Sequence, residues 1–428
     1  MDESTTMART FRFGLLLLAL IGVGFASLSL LGPRAPVTPA PIRIGVVHAL
    51  SGAMAESERG LVDALRLAID ELNSAGGLLG RPLELILIDS RSDWTLAAAA
   101  AERLITEEKV SALFACWTSS CRRALKPVVE AHQHLMFYPL QYEGLEQSPR
   151  ILYLGAAPNQ QIIPGARWAL DRFGTRVYLV GSDYIFPRLA NQFIRDLTNM
   201  VDGTVVAEHY VSMNEGDFSA IMTDLGEQMP DVVFNTLNGI ANRSFFDALS
   251  QAGLTQIPVV SFSVAEPELR AMKHLPPHPL HFAVWGYFQS LPSEANRAFV
   301  AAFQQRYGPD RTTSDPLVAS YQGVKLWAAA VAEAGTDNPR QINRTITRMS
   351  VAGPSGILVL DAGTRHAWRR VYVGQARADG QFDAAELSAG LVRPLPFPPL
   401  RSRDEWLALV ATVAATMHNA AITANPTP

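Results

Sequence analysis

Cysteine is nearly absent: Cys116 and Cys121 are the only two in 428 residues, too few for a disulfide framework, and they read as buried thiols. An excess of either charge is missing too. With 36 basic and 40 acidic side chains the formal net charge is −4, and no basic run or basic–aromatic stripe occurs. That excludes a partner held by its phosphate backbone, so no nucleic acid is expected. Catalytic signatures are lacking as well: H-E-x-x-H, G-x-S-x-G, S-x-x-K and the P-loop pattern do not appear. The nine histidines are scattered, and the closest pair, His132 and His134, flanks a helix end and reads as surface or capping residues. No enzyme, no metal and no cofactor is expected.

What is present begins with an apolar stretch. Arg9 and Arg12 precede residues 13–31, where Ser27 and Ser29 are the polar interruptions. A positive segment followed by such a core is an export signal, and Gly24-Phe25-Ala26 offers a small-x-small cleavage site. The same stretch is long enough to serve as an uncleaved membrane anchor, so residues 1–32 are expected to be a signal peptide or an N-terminal anchor. Residues 33–41, with four prolines, read as an extended spacer. The folded part is expected in the periplasm.

From residue 42 onward, strand and helix patterns alternate. Apolar runs at 42–47, 83–88, 110–115 and 135–138 are separated by helical spacing at 60–74, 95–107 and 119–131. After a polar break at 157–161 the rhythm restarts, with strands at 176–180, 204–211, 231–235 and 257–262 and helices between them. Repeated β-α units of this length build parallel sheets covered by helices on both faces. The expectation is α/β: two doubly wound, Rossmann-like lobes. In such sheets ligands bind beyond the carboxyl ends of the strands. The candidate loops are therefore 51–58, 116–120 and 139–144 in one lobe, and 181–188, 235–239 and 263–266 in the other.

Those loops are aromatic, hydroxylated and mostly neutral. Trp117, Thr118 and Ser119 stand where a helix begins, so one hydroxyl can cap it while another meets a ligand. Tyr138, Leu140 and Gln141 follow the next strand, and Tyr184 and Phe186 come from the opposite lobe, with Asn235 and Thr236 at a further strand end. Flat rings and neutral hydrogen-bonding groups suit a small planar amide, gripped on its faces and edges.

Ser51-Gly52, Cys116-Trp117-Thr118-Ser119, Gln141-Tyr142-Glu143-Gly144, Ala157-Pro158-Asn159-Gln160-Gln161, Gly181-Ser182-Asp183-Tyr184-Ile185-Phe186-Pro187-Arg188, Phe234-Asn235-Thr236-Leu237-Asn238-Gly239 and Arg377-Ala378-Asp379-Gly380-Gln381-Phe382 together resemble the urea-binding substrate-binding proteins of ABC transporters. The likeness covers residues 42–395, and the wider group is the type I periplasmic binding proteins, which take leucine, isoleucine and valine or amides. It implies three crossover hinges, placed near 156–161, 286–290 and 354–357. Lobe 1 would then hold residues 42–157 and 288–353, lobe 2 residues 158–287 and 354–395, and 396–428 a C-terminal extension. By similarity to an amide sensor, Trp117, Tyr138, Tyr184 and Phe186 match ring positions and Ser119 a hydroxyl contact. Leu140 and Gln141 match a segment that binds through its backbone, and Leu140 and Phe186 stand where that sensor has hydroxyls. The implied function is a receptor that binds urea or a short aliphatic amide and delivers it to an inner-membrane ABC permease. A branched-chain or other amino-acid receptor, with Asp183, Glu143 or Glu266 meeting the ammonium, and an amide-sensing regulator are the alternatives.

Overall fold

Strand β1 (Ile42–His48) is apolar nearly throughout because it runs between two helical layers, with Ile44, Val46 and Val47 fully buried. Helix α1 (Ala55–Ser74) turns Leu61, Leu65, Ala68 and Ile69 onto it. The helix stops at Gly76 and Gly77, both with positive φ; a Cβ on Gly77 would lie 2.1 Å from the Arg81 carbonyl oxygen. Then follow β2 (Leu83–Asp89), α2 (Trp94–Thr106), β3 (Ala112–Ala115), α3 (Ser119–Ala131), β4 (Met136–Tyr138) and β5 (Ile151–Tyr153). These strands form a five-stranded parallel sheet in the order β2-β1-β3-β4-β5. The computed structural model describes residues 39–272 and 278–424, so the expected signal peptide or anchor, residues 1–32, and most of the expected spacer lie outside the described residues. Among the described residues no helix is long and apolar enough to cross a membrane.

The second lobe is built from α4 (Ile162–Phe173), β6 (Arg176–Ser182), α5 (Ile185–Met200), β7 (Thr204–Val211), α6 (Ser219–Gln228), β8 (Val232–Thr236), α7 (Ile240–Gln251), β9 (Val259–Ser261), α8 (Glu266–Ala271) and β10 (His281–Trp285). The chain then returns to the first lobe with α9 (Glu294–Tyr307), α10 (Asp315–Ala334) and α11 (Pro339–Thr345), whose Phe303, Leu317, Trp327 and Ile342 enter its cores. A hairpin, β11 (Ser350–Gly353) and β12 (Gly356–Val359), stays on that side, since Leu358 and Leu360 pack with Ile44 and Trp327. Residues 360–367 stay there too, Ala367 packing in the same core and His366 pairing with Tyr153, so the third crossing runs over residues 368–371, later than the expected 354–357, which fall within the hairpin. Beyond it, β13 (Tyr372–Ala376) and β14 (Phe382–Glu386) add an antiparallel edge to a seven-stranded sheet ordered β14-β13-β10-β9-β8-β6-β7. A final helix, α12 (Arg403–Ala424), buries Trp406 against Phe193 with ring centroids 4.5 Å apart.

Two further details depart from the sequence reading. Cys116 and Cys121 are not free thiols but a disulfide, because the strand–turn–helix at the start of α3 brings their Cα atoms to 5.6 Å. Reducing it, or replacing both cysteines by serine, is expected to lower the unfolding free energy by about 2 kcal/mol, the value for so short a loop. Calorimetric melting with and without dithiothreitol measures this, and coincident transitions would rule it out. His134 is buried rather than superficial: its Nε2 meets the Val110 carbonyl at 2.8 Å, and burial depresses its pKa.

Candidate functional site

The carboxyl ends of β3, β4 and β6 meet at the seam between the lobes. At the end of β3, Cys116 adopts a left-handed backbone, φ 71°, held by its disulfide to the first turn of α3. The bridge spans Trp117, Thr118 and Ser119. Thr118 caps α3, accepting from the Cys121 N–H at 3.2 Å. Trp117 is buried and donates from Nε1 to Asn238 Oδ1 of the second lobe at 3.2 Å.

Ser119 stands over a buried ionic cluster. Its hydroxyl donates to Glu143 Oε2 at 2.5 Å and accepts from Arg122 Nη1 at 3.0 Å. Arg122, fully buried one turn along α3, also donates from Nη2 to Glu143 Oε1 at 3.0 Å and from Nε to Glu146 Oε1 at 3.1 Å. Its guanidinium lies 4.9 Å from the Tyr138 ring centroid and 4.3 Å from that of Tyr142. Burial works against its charge, but Glu146 and Glu143 hold its pKa well above the ordinary value. Burial likewise opposes the Glu146 charge, yet Arg122 and Lys126 keep its carboxyl below the usual range.

At the end of β4 the Tyr138 hydroxyl donates to the Trp117 carbonyl at 2.7 Å, and burial raises its pKa. Gln141 crosses the seam: Nε2 donates to Phe262 O at 2.9 Å and Ser263 Oγ at 3.2 Å, while its buried Oε1 has no partner. Gln161, on the first crossing, repeats this, donating to Phe262 O at 3.1 Å with Oε1 unpartnered. Tyr184 precedes α5 and is buried within the electrostatic reach of Tyr138, Glu143 and Arg122. The structure thus brings together Trp117, Ser119, Tyr138 and Tyr184, while Gln141 is turned to Phe262 and Ser263.

The other residues singled out from the sequence have internal tasks. Leu140 packs in the lobe 1 core, and a Cβ on Gly155 would lie 1.9 Å from its carbonyl oxygen. Phe186 enters the lobe 2 core from the first turn of α5. Asn235 donates to Asn242 Oδ1 at 3.0 Å and Ser261 Oγ at 3.1 Å and accepts from the Leu237 N–H at 2.8 Å, so it shapes its loop. Thr236 is satisfied by Val180 O and Asn191 Oδ1. Arg122, Asn238 and Gln161 are site neighbours that were not singled out for this role, and Glu143, named as a partner for a ligand ammonium, instead pairs with Arg122. The three-residue spacing of Ser119 and Arg122 was the one sequence signal that they share a helix face.

At the rim, Ser57 Oγ donates to Glu268 Oε1 across the seam at 2.8 Å, beside a cavity of 210 Å³ lined by Glu56, Ile240 and Arg243. A wider groove of 930 Å³ lies further out along α1 and Arg311, away from the aromatic loops. Among the described residues no group of three or more His, Cys, Asp or Glu could hold a metal ion.

Residues 42–403 match the model of the periplasmic binding protein domain family. A Leu/Ile/Val-binding protein, BraC3, of Rhizobium johnstonii is 26% identical over 208 residues, which are 47% of this chain and 55% of that protein. A protein named limonene hydroxylase from Geobacillus stearothermophilus is 32% identical over 120 residues, 28% of this chain and 21% of its own length. The chain therefore spans under two thirds of the length of either relative. Among solved structures, an R. palustris solute-binding protein in complex with benzoate superposes with TM-score 0.73 at 19% identity, covering 82% of this chain and 97% of that one. The branched-chain amino-acid-binding LivJ of Streptococcus pneumoniae, holding isoleucine, gives 0.72 at 20% identity over 81% of this chain and 99% of that one. These likenesses share the fold.

Proposed function

This chain belongs to the periplasmic binding protein domain family, and we propose that it is an exported, non-catalytic receptor for urea or a short aliphatic amide. It holds that solute between its lobes and delivers it to an inner-membrane ABC permease, the closed form being the one that docks. The observation that carries the ligand is the charge balance beneath Trp117, Tyr138 and Tyr184. Arg122, the buried cation there, is already matched by Glu143 and Glu146, so it leaves no uncompensated charge for a ligand carboxylate.

An amino-acid ammonium fares no better. Asp183 pairs with Arg188 at 2.8 Å on the surface, and Glu143 is occupied by Ser119 and Arg122. Glu266 is buried and its carboxyl is pushed up to about 8, so it is neutral at pH 7. These pairings support a neutral planar ligand held between rings.

Isothermal titration of the purified protein with urea, formamide and acetamide is expected to give saturable heats, with none from isoleucine or benzoate. Heat from isoleucine or benzoate alone would overturn the ligand assignment. Growth-independent release of ammonia from urea by the protein would overturn the non-catalytic reading.

A further inference from the structure

A serine hydroxyl has one proton and two lone pairs, so its partners decide what it offers a ligand. The Ser119 proton goes to Glu143 Oε2, and one lone pair is taken by Arg122 Nη1. What remains is a lone pair. The same accounting applies to its neighbours: the Tyr138 proton goes to Trp117 O, the Trp117 N–H to Asn238 Oδ1, and both Gln141 amide protons to Phe262 O and Ser263 Oγ. The Gln141 Oε1 is buried without a partner. Facing this row of acceptors, the Tyr184 hydroxyl is engaged electrostatically and not by a hydrogen bond among the described residues. The site offers one donor and several acceptors.

We infer that the Glu143–Arg122 pair determines the specificity of the cleft, fixing the Ser119 hydroxyl as an acceptor so that carboxamides and ureas are selected over the isosteric carboxylates. A carboxamide supplies its two N–H groups to Ser119 and Tyr138, and its carbonyl accepts from Tyr184. A carboxylate has no proton for those acceptors and sets its oxygens against lone pairs beside Glu143, in a site already closed to water. Arg122 matters as much as Glu143, because its N–H group occupies the other direction in which the serine proton could turn. The inference rests on the proposed function in one respect, that Ser119 touches the ligand.

Matched pairs test it: acetamide against acetate, benzamide against benzoate, and isoleucinamide against isoleucine. Each is titrated calorimetrically into the full chain as wild type, Glu143→Gln and Ser119→Ala, with melting curves to check folding. In every pair that binds, the wild type is expected to favour the amide, roughly tenfold to a hundredfold. In Glu143→Gln the serine proton is released and the acid gains, so the ratio narrows to within a few-fold. In Ser119→Ala the amide weakens and the acid gains nothing. A wild type that takes the acid more tightly overturns the inference, as does a folded Glu143→Gln protein with an unchanged ratio. Failure of urea and acetamide to bind, with amide preference kept in a larger pair, overturns the proposed ligand while supporting the role of Glu143. If Glu143→Gln does not fold, the wild-type ratios and Ser119→Ala still decide.

Discussion

Replacing Arg369 by methionine is expected to lower the unfolding free energy by about 3–5 kcal/mol, the cost of leaving a buried carboxylate without its counter-charge. Arg369 lies on the third crossing and ties it to the other two. Its Nη1 donates to Leu154 O, between β5 and the first crossing, at 2.6 Å, and its Nη2 pairs with Asp315 Oδ2. That same oxygen accepts the Gly286 N–H of the second crossing at 2.9 Å. Both side chains are buried, 6% and 1% exposed, so water cannot replace the lost partner. Burial raises the Asp315 pKa and the Arg369 charge opposes the rise, an opposition the variant removes. Removing both charges, as Arg369→Met with Asp315→Leu, is expected to recover much of the loss. Unfolding in guanidinium chloride reads these values, urea being unsuitable as a proposed ligand. A loss under about 1 kcal/mol would show that the clasp is not a principal support of the hinge.

The second large effect depends on pH. Glu266 opens α8 with its Oε1 accepting the Gln289 N–H at 2.6 Å and its buried Oε2 unpartnered. Burial, with Asp315 and Glu268 adding repulsion, pushes its carboxyl up to about 8. The unfolded chain has an ordinary carboxyl near 4.3. Between those values the folded state binds more protons, so stability present at low pH is lost as pH rises through about 8. Glu268, raised to about 7 by burial, acts in the same direction. Glu266→Gln is expected to leave stability at pH 5 nearly unchanged and to raise it at pH 9 by on the order of 2–4 kcal/mol. Melting temperatures of both proteins from pH 5 to 9 provide the check; parallel curves would exclude Glu266 as the cause.

Much of this architecture was legible because a parallel sheet repeats one unit, and right-handed crossovers leave few ways to arrange it. That Trp117, Ser119, Tyr138 and Tyr184 stand at strand ends near the seam was legible for a related reason: the loops of such sheets converge beyond the carboxyl ends of their strands. Residues at the same ends can instead point inward, as Asn235 and Thr236 do to brace their own loops, and alternation in a fully buried strand does not reveal which. Arg122 was illegible because an arginine in a helix is ordinarily at the surface; only the acids at 143 and 146, a loop away, allow its burial. The disulfide was illegible since a five-residue separation is compatible with either state until the turn between strand and helix is known. The β13–β14 edge escaped notice because Gly374, Asp383 and Glu386 break its apolar pattern.

The threefold crossing also governs how the chain can acquire its structure. The first sheet, complete by Tyr153, still lacks the cover of Trp327 and Val331 from α10, which arrives after the whole parallel part of the second sheet. That second sheet in turn waits for β13 and β14. A chain emerging in order therefore leaves the first sheet uncovered until residue 334 and the second sheet unfinished until residue 386. Its contacts are long-range, loop closure precedes the reward, and slow acquisition of structure follows. If the chain is exported as proposed, such delay would keep it competent for passage across the membrane.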